Sequence, residues 1–121
     1  MMKVESRLIH GDVRGEIYLI EIEGREMLLL LTKKGYARGG DLHRSMQHDV
    51  VIKGSVEFTF HMNGRDYSLE LREGESITFP EGVPHMFTSL DDSIVLEWLE
   101  GSFEKTYYPP YRKIVEERMR G

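Results

Sequence analysis

Residues 74–89 read GESITFPEGVPHMFTS and carry the most informative spacing in the chain. Gly74 permits a tight turn before a short segment that is rich in β-forming residues. Pro80 and Pro84 stiffen the loop that follows, because the proline ring fixes the φ angle. His85 then opens a second β-prone segment. The stretch therefore predicts two strands joined by a rigid loop, with a histidine at the start of the second strand.

Short β-prone segments recur on both sides of this stretch, with turn residues between them. They are residues 16–23, 27–32, 48–53, 55–60, 67–71, 76–79, 85–89 and 93–99. The first two should form a hairpin, and so should the two joined by Asn63-Gly64, because both turn residues accept a positive φ. The last two should pair with each other across Asp91-Asp92. Strands at this even spacing indicate a β-sandwich or barrel.

The C-terminal end differs from the rest, because its apolar residues follow helical periodicity. These residues are Tyr111, Ile114, Val115 and Met119. They follow a Pro-Pro pair, which the first turn of a helix tolerates. A chain of 121 residues with 40% hydrophobic and 31% charged residues fits one folded unit. We predict a single domain over residues 1–121, with a barrel at about 4–103 and a helix at about 110–120.

Composition excludes several classes of protein. The formal net charge of -5 argues against nucleic-acid binding, which needs lysine and arginine clustered on one face. The chain has no cysteine, so a metal ion would need histidine, carboxylate or amide ligands. The longest apolar run, Met27–Leu31, is too short to cross a bilayer, and the first residues lack the pattern of an export signal. We expect a cytoplasmic protein without a membrane partner, and the single Gln and single Asn favour a thermophilic source.

The spacing of Gly74, Pro80, Gly82 and His85 resembles the second sequence motif of the cupin superfamily. In that family the glycine turns the chain, the proline stiffens the next turn, and the histidine points into a barrel. Ser89 stands where the family usually has asparagine. The resemblance implies an all-β cupin fold, which is a double-stranded β-helix or jelly-roll barrel. Together with the predicted tail, the expected fold is this barrel followed by a short C-terminal α-helix.

The first cupin motif has two histidines flanking one residue, then a glutamate and later a glycine. In the matching stretch Asp41 stands in the first histidine position, His43 in the second, and Gln47 in the glutamate position, and Gly54 follows. The two motifs and the strands between them cover roughly residues 36–90. The spacing of the motif therefore fits, although Asp41 replaces a histidine and Gln47 replaces the glutamate.

Residues two apart on a strand point to the same side, so Asp41 and His43 can both enter the barrel. His85 can reach them from a neighbouring strand. Imidazoles, a carboxylate and an amide oxygen suit iron, manganese, nickel or zinc. The amide would come from Gln47, but His48 competes for this inward position because a register slip by one residue exchanges the faces. We favour Gln47 inward; the candidate metal ligands are thus Asp41, His43, Gln47, His48 and His85.

A second resemblance concerns Asp12-Val13-Arg14-Gly15 and the pair Arg38-Gly39 shortly before His43. These stretches look like the cupins that isomerise or epimerise nucleotide-linked keto-sugars, whose barrel needs no metal. The resemblance implies His43 as the catalytic base, Asp41 in place of a second histidine, and Arg14 and Arg38 as phosphate contacts. A carboxylate beside an imidazole raises its basicity but does not reproduce a histidine pair.

Three functional hypotheses follow. The first is a cupin that binds a divalent metal and a small polar, sugar-like ligand; the second is the metal-independent isomerase or epimerase; the third is a non-catalytic ligand-binding or sensing module. Tyr36 and Trp98 are further candidates for ligand contacts, and an acid such as Tyr18, Tyr36 or Tyr107 opposite His43 would favour catalysis. We also expect a homodimer that pairs through outer strands, because pairing protects exposed sheet edges.

Overall fold

The computed structural model describes residues 3–120, which form eleven strands and one helix. The elements are β1 (Val4–Asp12), β2 (Gly15–Ile22), β3 (Arg25–Thr32), β4 (Ala37–His43), β5 (Gln47–Lys53), β6 (Ser55–Met62), β7 (Arg65–Arg72), β8 (Ser76–Phe79), β9 (His85–Ser89), β10 (Ser93–Leu99), β11 (Lys105–Tyr107) and α1 (Pro109–Met119). The predicted all-β class with a short C-terminal helix is confirmed.

The strands form two antiparallel sheets. The six-stranded sheet has the order β1-β2-β3-β10-β5-β8, and the five-stranded sheet has the order β11-β4-β9-β6-β7. Strands that are neighbours in sequence often lie in different sheets, as β4 and β5 do. The chain therefore crosses repeatedly between the sheets, and their inner faces enclose both the hydrophobic core and a cavity.

Two tight hairpins have the geometry that their sequences predict. Asn63 and Gly64 join β6 to β7 with φ angles of 53° and 74°, and Met62 lies directly opposite Arg65. Glu23 and Gly24 join β2 to β3 in the same way, with φ angles of 51° and 78°. Positive φ at both central residues gives a turn whose twist matches that of the strands. Both predicted hairpins are confirmed.

The predicted pairing of residues 85–89 with residues 93–99 is wrong. Strand β9 pairs with β4 and β6, whereas β10 pairs with β3 and β5 in the opposite sheet. The short connection between them is an arch from one sheet to the other, and the buried hydroxyls of Ser89 and Ser93 lie 2.6 Å apart across it. An arch and a hairpin share the same local turn residues, so the local pattern does not distinguish them.

The hydrophobic core fills the space between the sheets below the cavity. Phe58 lies at its centre, with ring centroids 5.3 Å from Phe87 and 5.6 Å from Phe79. Smaller buried residues complete the cluster: Leu30, Val51, Val56, Leu71, Val83 and Val95. Because Phe58, Phe87 and Leu30 also border the cavity, the core forms its floor.

Helix α1 packs on the outside of the five-stranded sheet. Its buried residues Tyr111 and Val115 contact Ala37 and Met86, and the Tyr111 hydroxyl donates to the Asp66 carboxylate. The helix begins with two prolines, as the sequence predicts. It therefore buttresses β4 and β9, the two strands that carry the candidate ligands.

Candidate metal site and cavity

Asp41, His43 and His85 converge inside the barrel. Asp41 and His43 lie two residues apart on β4, and His85, the first residue of β9, lies directly opposite Asp41 in the strand register. Asp41 Oδ1 is 3.4 Å from His43 Nε2 and 3.5 Å from His85 Nε2. One ligand atom from each residue lies within 4.8 Å of the other two. Two separate sequence motifs thus supply one buried cluster.

Backbone carbonyls fix the orientation of both imidazoles. His43 Nδ1 lies 2.9 Å from the carbonyl oxygen of Glu104, and His85 Nδ1 lies 2.9 Å from that of Val83. A carbonyl only accepts, so each Nδ1 carries a proton and donates it. In the neutral rings Nε2 then presents a lone pair toward Asp41. Three acceptors facing one another require a cation between them, either a proton or a metal ion.

The electrostatics of the cluster favour an ionised Asp41. Burial alone would raise the pKa of Asp41, but the hydrogen bond from His43 and the charge of His85 outweigh burial and lower it. Burial would likewise lower the pKa of His43, but its hydrogen bonds to Asp41 and to the Glu104 carbonyl, together with the nearby negative charges, outweigh burial and the pKa is raised. His85 is more deeply buried, and burial lowers its pKa. A proton bound by the cluster therefore resides first on His43.

Gln47 lies inward, but its amide is engaged with two carboxyl groups. Its Nε2 donates to Asp49 Oδ2 at 2.7 Å and to Glu97 Oε1 at 3.0 Å. Asp49 on β5 lies directly opposite Glu97 on β10. Within residues 3–120, Gln47 Oε1 and Asp49 Oδ1 are buried without a hydrogen-bond partner. Glu97 also borders the cavity, a position that no sequence motif indicates.

His48 lies on the opposite face of β5, as strand alternation requires once Gln47 is inward. Its Nδ1 is 2.9 Å from Thr78 Oγ1, its Nε2 is 2.7 Å from Glu100 Oε1, and its ring stacks on Trp98. Both His48 and Trp98 therefore lie on the outer face of the six-stranded sheet. This placement removes His48 from the candidate metal ligands and Trp98 from the candidate ligand contacts.

Arg14 and Arg38 are both buried and both border the cavity. Arg38 Nε donates to Thr32 Oγ1 at 2.7 Å, whereas its Nη1 is buried and has no partner among the described residues. Burial lowers the pKa of Arg38 to about 10, so the guanidinium stays charged at neutral pH. Arg14 pairs with Asp12, with Nη2 and Oδ2 2.7 Å apart. Tyr36 is half-buried in the loop before β4, away from the cavity lining.

The cavity has a volume of about 680 Å³ and opens above the apolar floor. Its polar wall includes residues that belong to none of the sequence motifs: Arg7, His10, Glu26, Glu97, Lys105 and Arg112. Tyr107 stands at the rim, half-exposed, with the Arg112 guanidinium 4.6 Å from its ring centroid. Of the three tyrosines considered as acids, Tyr107 is the one that borders the cavity. Half of these wall residues lie on β1 or β11, where the sequence shows no strong apolar alternation.

A family model described as Cupin matches residues 30–106. The chain therefore belongs to the cupin family, and the predicted cupin barrel is confirmed. None of the curated proteins matches the chain. Within residues 3–120, no helix has both the length and the apolar composition needed to cross a membrane.

Solved structures with a similar fold include proteins of different kinds. The capsular polysaccharide assembling protein CapF of Staphylococcus aureus is 16% identical, with a TM-score of 0.71 over 84% of this chain and 34% of that one. Oxalate decarboxylase of Bacillus subtilis, with Mn(II) centres, is 24% identical, with a TM-score of 0.63 over 84% and 28%. Vicilin of hazelnut, Corylus avellana, is 19% identical, with a TM-score of 0.69 over 86% and 34%. The chain spans about a third of their length, and the similarity shows the fold alone.

Proposed function

We propose that this cupin binds a divalent metal ion through Asp41, His43 and His85, and a small polar, sugar-like ligand in the cavity beside it. The observation that carries the proposal is the meeting of three acceptor atoms in a buried cluster. Their carbonyl partners hold both histidines with Nε2 facing Asp41. A metal ion satisfies all three acceptors at once, whereas a single proton satisfies two at most.

The donor set fits iron, manganese, nickel or zinc. Imidazole nitrogen and carboxylate oxygen are ligands that these borderline ions accept. The hydrogen bonds from each Nδ1 to a carbonyl are the outer contacts that orient metal-bound histidines in proteins. Three protein ligands also leave positions on the ion free for a small molecule, and a bound ion would polarise an oxygen of that molecule. The Mn(II) centres of oxalate decarboxylase support metal binding in this fold.

The cavity favours a polar ligand that carries negative charge. The buried Nη1 of Arg38 has no partner among residues 3–120 and is available to a carboxylate or phosphate oxygen. The volume of about 680 Å³ lies within the range of small-molecule sites, which is roughly 300–1,000 Å³. The sugar-like character of the ligand rests on the resemblance of residues 12–15 and Arg38-Gly39 to nucleotide-sugar cupins.

Metal analysis of protein purified without a histidine tag tests this proposal. We expect about one equivalent of metal in the wild type and a negligible amount after His43→Ala combined with His85→Ala. His48→Ala is the matched control, because it removes an imidazole that lies on the outer face. Both proteins are also measured after loading with Mn²⁺ and with Zn²⁺. Equal metal contents in the wild type and the double variant would contradict the proposal.

The alternative function is isomerisation or epimerisation of a nucleotide-linked 4-keto-sugar with His43 as the base. Two observations favour it: the Asp41 carboxylate beside His43, which raises the imidazole pKa, and Tyr107 at the cavity rim. The assay is wash-in of deuterium at the carbon next to the ketone, with His43→Ala as the inactive variant. If no sugar in a panel exchanges although one of them binds, the chain is a non-catalytic binding module instead.

A homodimer is the remaining part of the proposed function. In the two sheets β1, β8, β11 and β7 are edge strands. Exposed edges and faces of a small barrel favour association with a second copy. Light scattering should give twice the 14.1 kDa mass of the chain, and a single-chain mass at millimolar concentration would contradict the dimer.

A further inference from the structure

The outer face of the six-stranded sheet carries an uninterrupted apolar row. The strand register places Leu8 opposite Tyr18, Tyr18 opposite Leu29, Leu29 opposite Leu96, and Leu96 opposite Val50. The row thus crosses five neighbouring strands without a charged residue. More apolar side chains flank it on the same face by strand alternation: Ile20, Ile22, Met27, Leu31, Ile94 and Trp98. We call this surface the outer apolar face.

Strand β3 shows why this face is unusual. Its run Met27–Leu31 is apolar at every position, a pattern typical of strands that are buried on both faces. Leu28 and Leu30 point inward and border the cavity. Leu29 and Leu31 point outward. Helix α1 packs on the other sheet, so within residues 3–120 no helix covers the outer apolar face. One of the two apolar sides of β3 therefore lacks a packing partner.

We propose that a second copy of this chain packs on the outer apolar face, sheet against sheet. The inference rests on the homodimer of the proposed function and is independent of metal or ligand binding. It assigns the contact to the side chains of a face, whereas the sequence predicted pairing through strand edges. Sheets that pack face to face lie roughly 10 Å apart, with their side chains interdigitated.

The face supplies most of the surface that a stable dimer needs. Six strands at roughly 4.8 Å spacing and about six residues at roughly 3.4 Å each give a face of about 25 by 20 Å. A standard interface removes about a tenth of the surface of a small protein, and the surface of this chain is 7395 Å². Charged residues such as Glu16 and Lys53 lie at the margins of the face, and the centre has none, as in known interfaces.

The two edges of the six-stranded sheet offer a poorer contact than its outer apolar face. Strand β1 is one edge of the six-stranded sheet, but its register shifts between Leu8 and His10, which marks a bulge. Bulges bend an edge strand and oppose its pairing with another chain. The other edge, β8, has only four residues. Pairing through the outer apolar face covers far more apolar surface than either edge.

Charge placed in the apolar row tests the inference. The variant Leu29→Arg/Leu96→Arg should be monomeric where the wild type is dimeric, with a dimer dissociation constant raised at least ~100-fold, because the charges lose water without gaining partners. Leu69→Arg is the matched control: Leu69 is 51% exposed on β7 of the other sheet, and its variant should stay dimeric. Sedimentation and circular dichroism report mass and folding.

If the arginine variant does not fold, the reactivity of single introduced cysteines shows whether the outer apolar face is buried in the dimer. This is possible because the chain has no cysteine of its own. The thiol of Leu96→Cys should react slowly with a maleimide at concentrations that give dimers and quickly on dilution. The thiol of Leu69→Cys should react at one rate throughout. A monomeric wild type would contradict both the proposed homodimer and the proposed contact through the outer apolar face. A folded arginine variant that remains dimeric would show that the dimer forms through another surface. A Leu96→Cys thiol that reacts freely in the dimer would show the same. Either result contradicts the outer apolar face as the contact but not the homodimer itself.

Discussion

Glu97 carries an ionisable carboxyl group in a partly buried position next to a second, fully buried carboxyl. It faces the cavity from β10, directly opposite the fully buried Asp49. Gln47 offers one amide group to both carboxyls. Burial, and then the neighbouring Asp49, raise the pKa of Glu97 well above its usual range. One proton shared within the pair relieves the repulsion, since two buried carboxylates cannot both ionise at low cost.

The pH dependence of stability should therefore report on Glu97. A carboxyl with a raised pKa in the folded state contributes stability that is complete below the unfolded pKa and is lost as pH rises through the folded pKa. The loss reaches at most about 1.4 kcal/mol per pH unit over that window. Glu97→Gln keeps the shape without the charge, so its free energy of unfolding should fall less between pH 5 and pH 9. Urea unfolding with a chelator present measures this effect.

Glu70→Gln is the control for that experiment, because Glu70 is exposed on β7. Its free energy of unfolding should follow that of the wild type at every pH. Parallel curves for the wild type and Glu97→Gln would mean that Glu97 is ionised at no cost in the folded chain.

Residue identities in the candidate cluster followed from the sequence, whereas the carboxyl pair did not. Asp41, His43 and His85 stand at motif positions, and a period of two predicts that the first two share a face. Glu97 is a single acid in the apolar segment 93–99, and such a residue is ordinarily read as solvent-facing. Only the register between β5 and β10 brings it opposite Asp49, and long-range register is not encoded in a local pattern.

At the scale of elements, the position of β4 depends on its contact with α1. Gly40 has a φ of +78°, and a Cβ there would lie 2.6 Å from the backbone Cα of Arg112. Because Asp41 is the next residue, the close approach of helix and strand sets the position of a candidate ligand. Only glycine gives both the backbone conformation and the space.

Gly40→Ala should therefore cost more stability than backbone strain alone. Gly64 also has a positive φ, +74°, but has open space around its missing Cβ. Gly64→Ala measures the strain, about 1 kcal/mol, and Gly40→Ala should lose a further ~1–3 kcal/mol because helix α1 must move. Thermal unfolding of both variants gives the difference. Equal losses would show that α1 yields to the added methyl group without cost.

Elements with a local pattern were predicted, and elements defined by distant partners were not. Residues 76–79 and 85–89 match β8 and β9, because alternation and turn residues mark them. Strand β1 escaped prediction because nearly all of its residues are exposed, so it needs no apolar alternation. It nevertheless carries Arg7 and His10 to the cavity wall. An exposed edge strand is specified by its partner β2 more than by its own sequence.

For the whole molecule, the candidate metal site exists only when the barrel is closed. Asp41 and His43 come from β4, His85 comes from β9, and their carbonyl partners come from two further segments of the chain. The unfolded chain has no comparable arrangement of these groups. Metal binding therefore adds its free energy to the stability of the fold.

Thermal unfolding should accordingly rise with metal concentration. An ion at 100 times its dissociation constant stabilises the folded state by about 2.7 kcal/mol, which raises the Tm of a chain of this size by about 10 °C. His48→Ala should keep the full rise, and His43→Ala/His85→Ala should show none. The rise should shrink as pH falls, because the proton that Asp41 favours on His43 competes with the metal. A rise in the double variant equal to that of the wild type would place the ion outside the Asp41, His43 and His85 cluster.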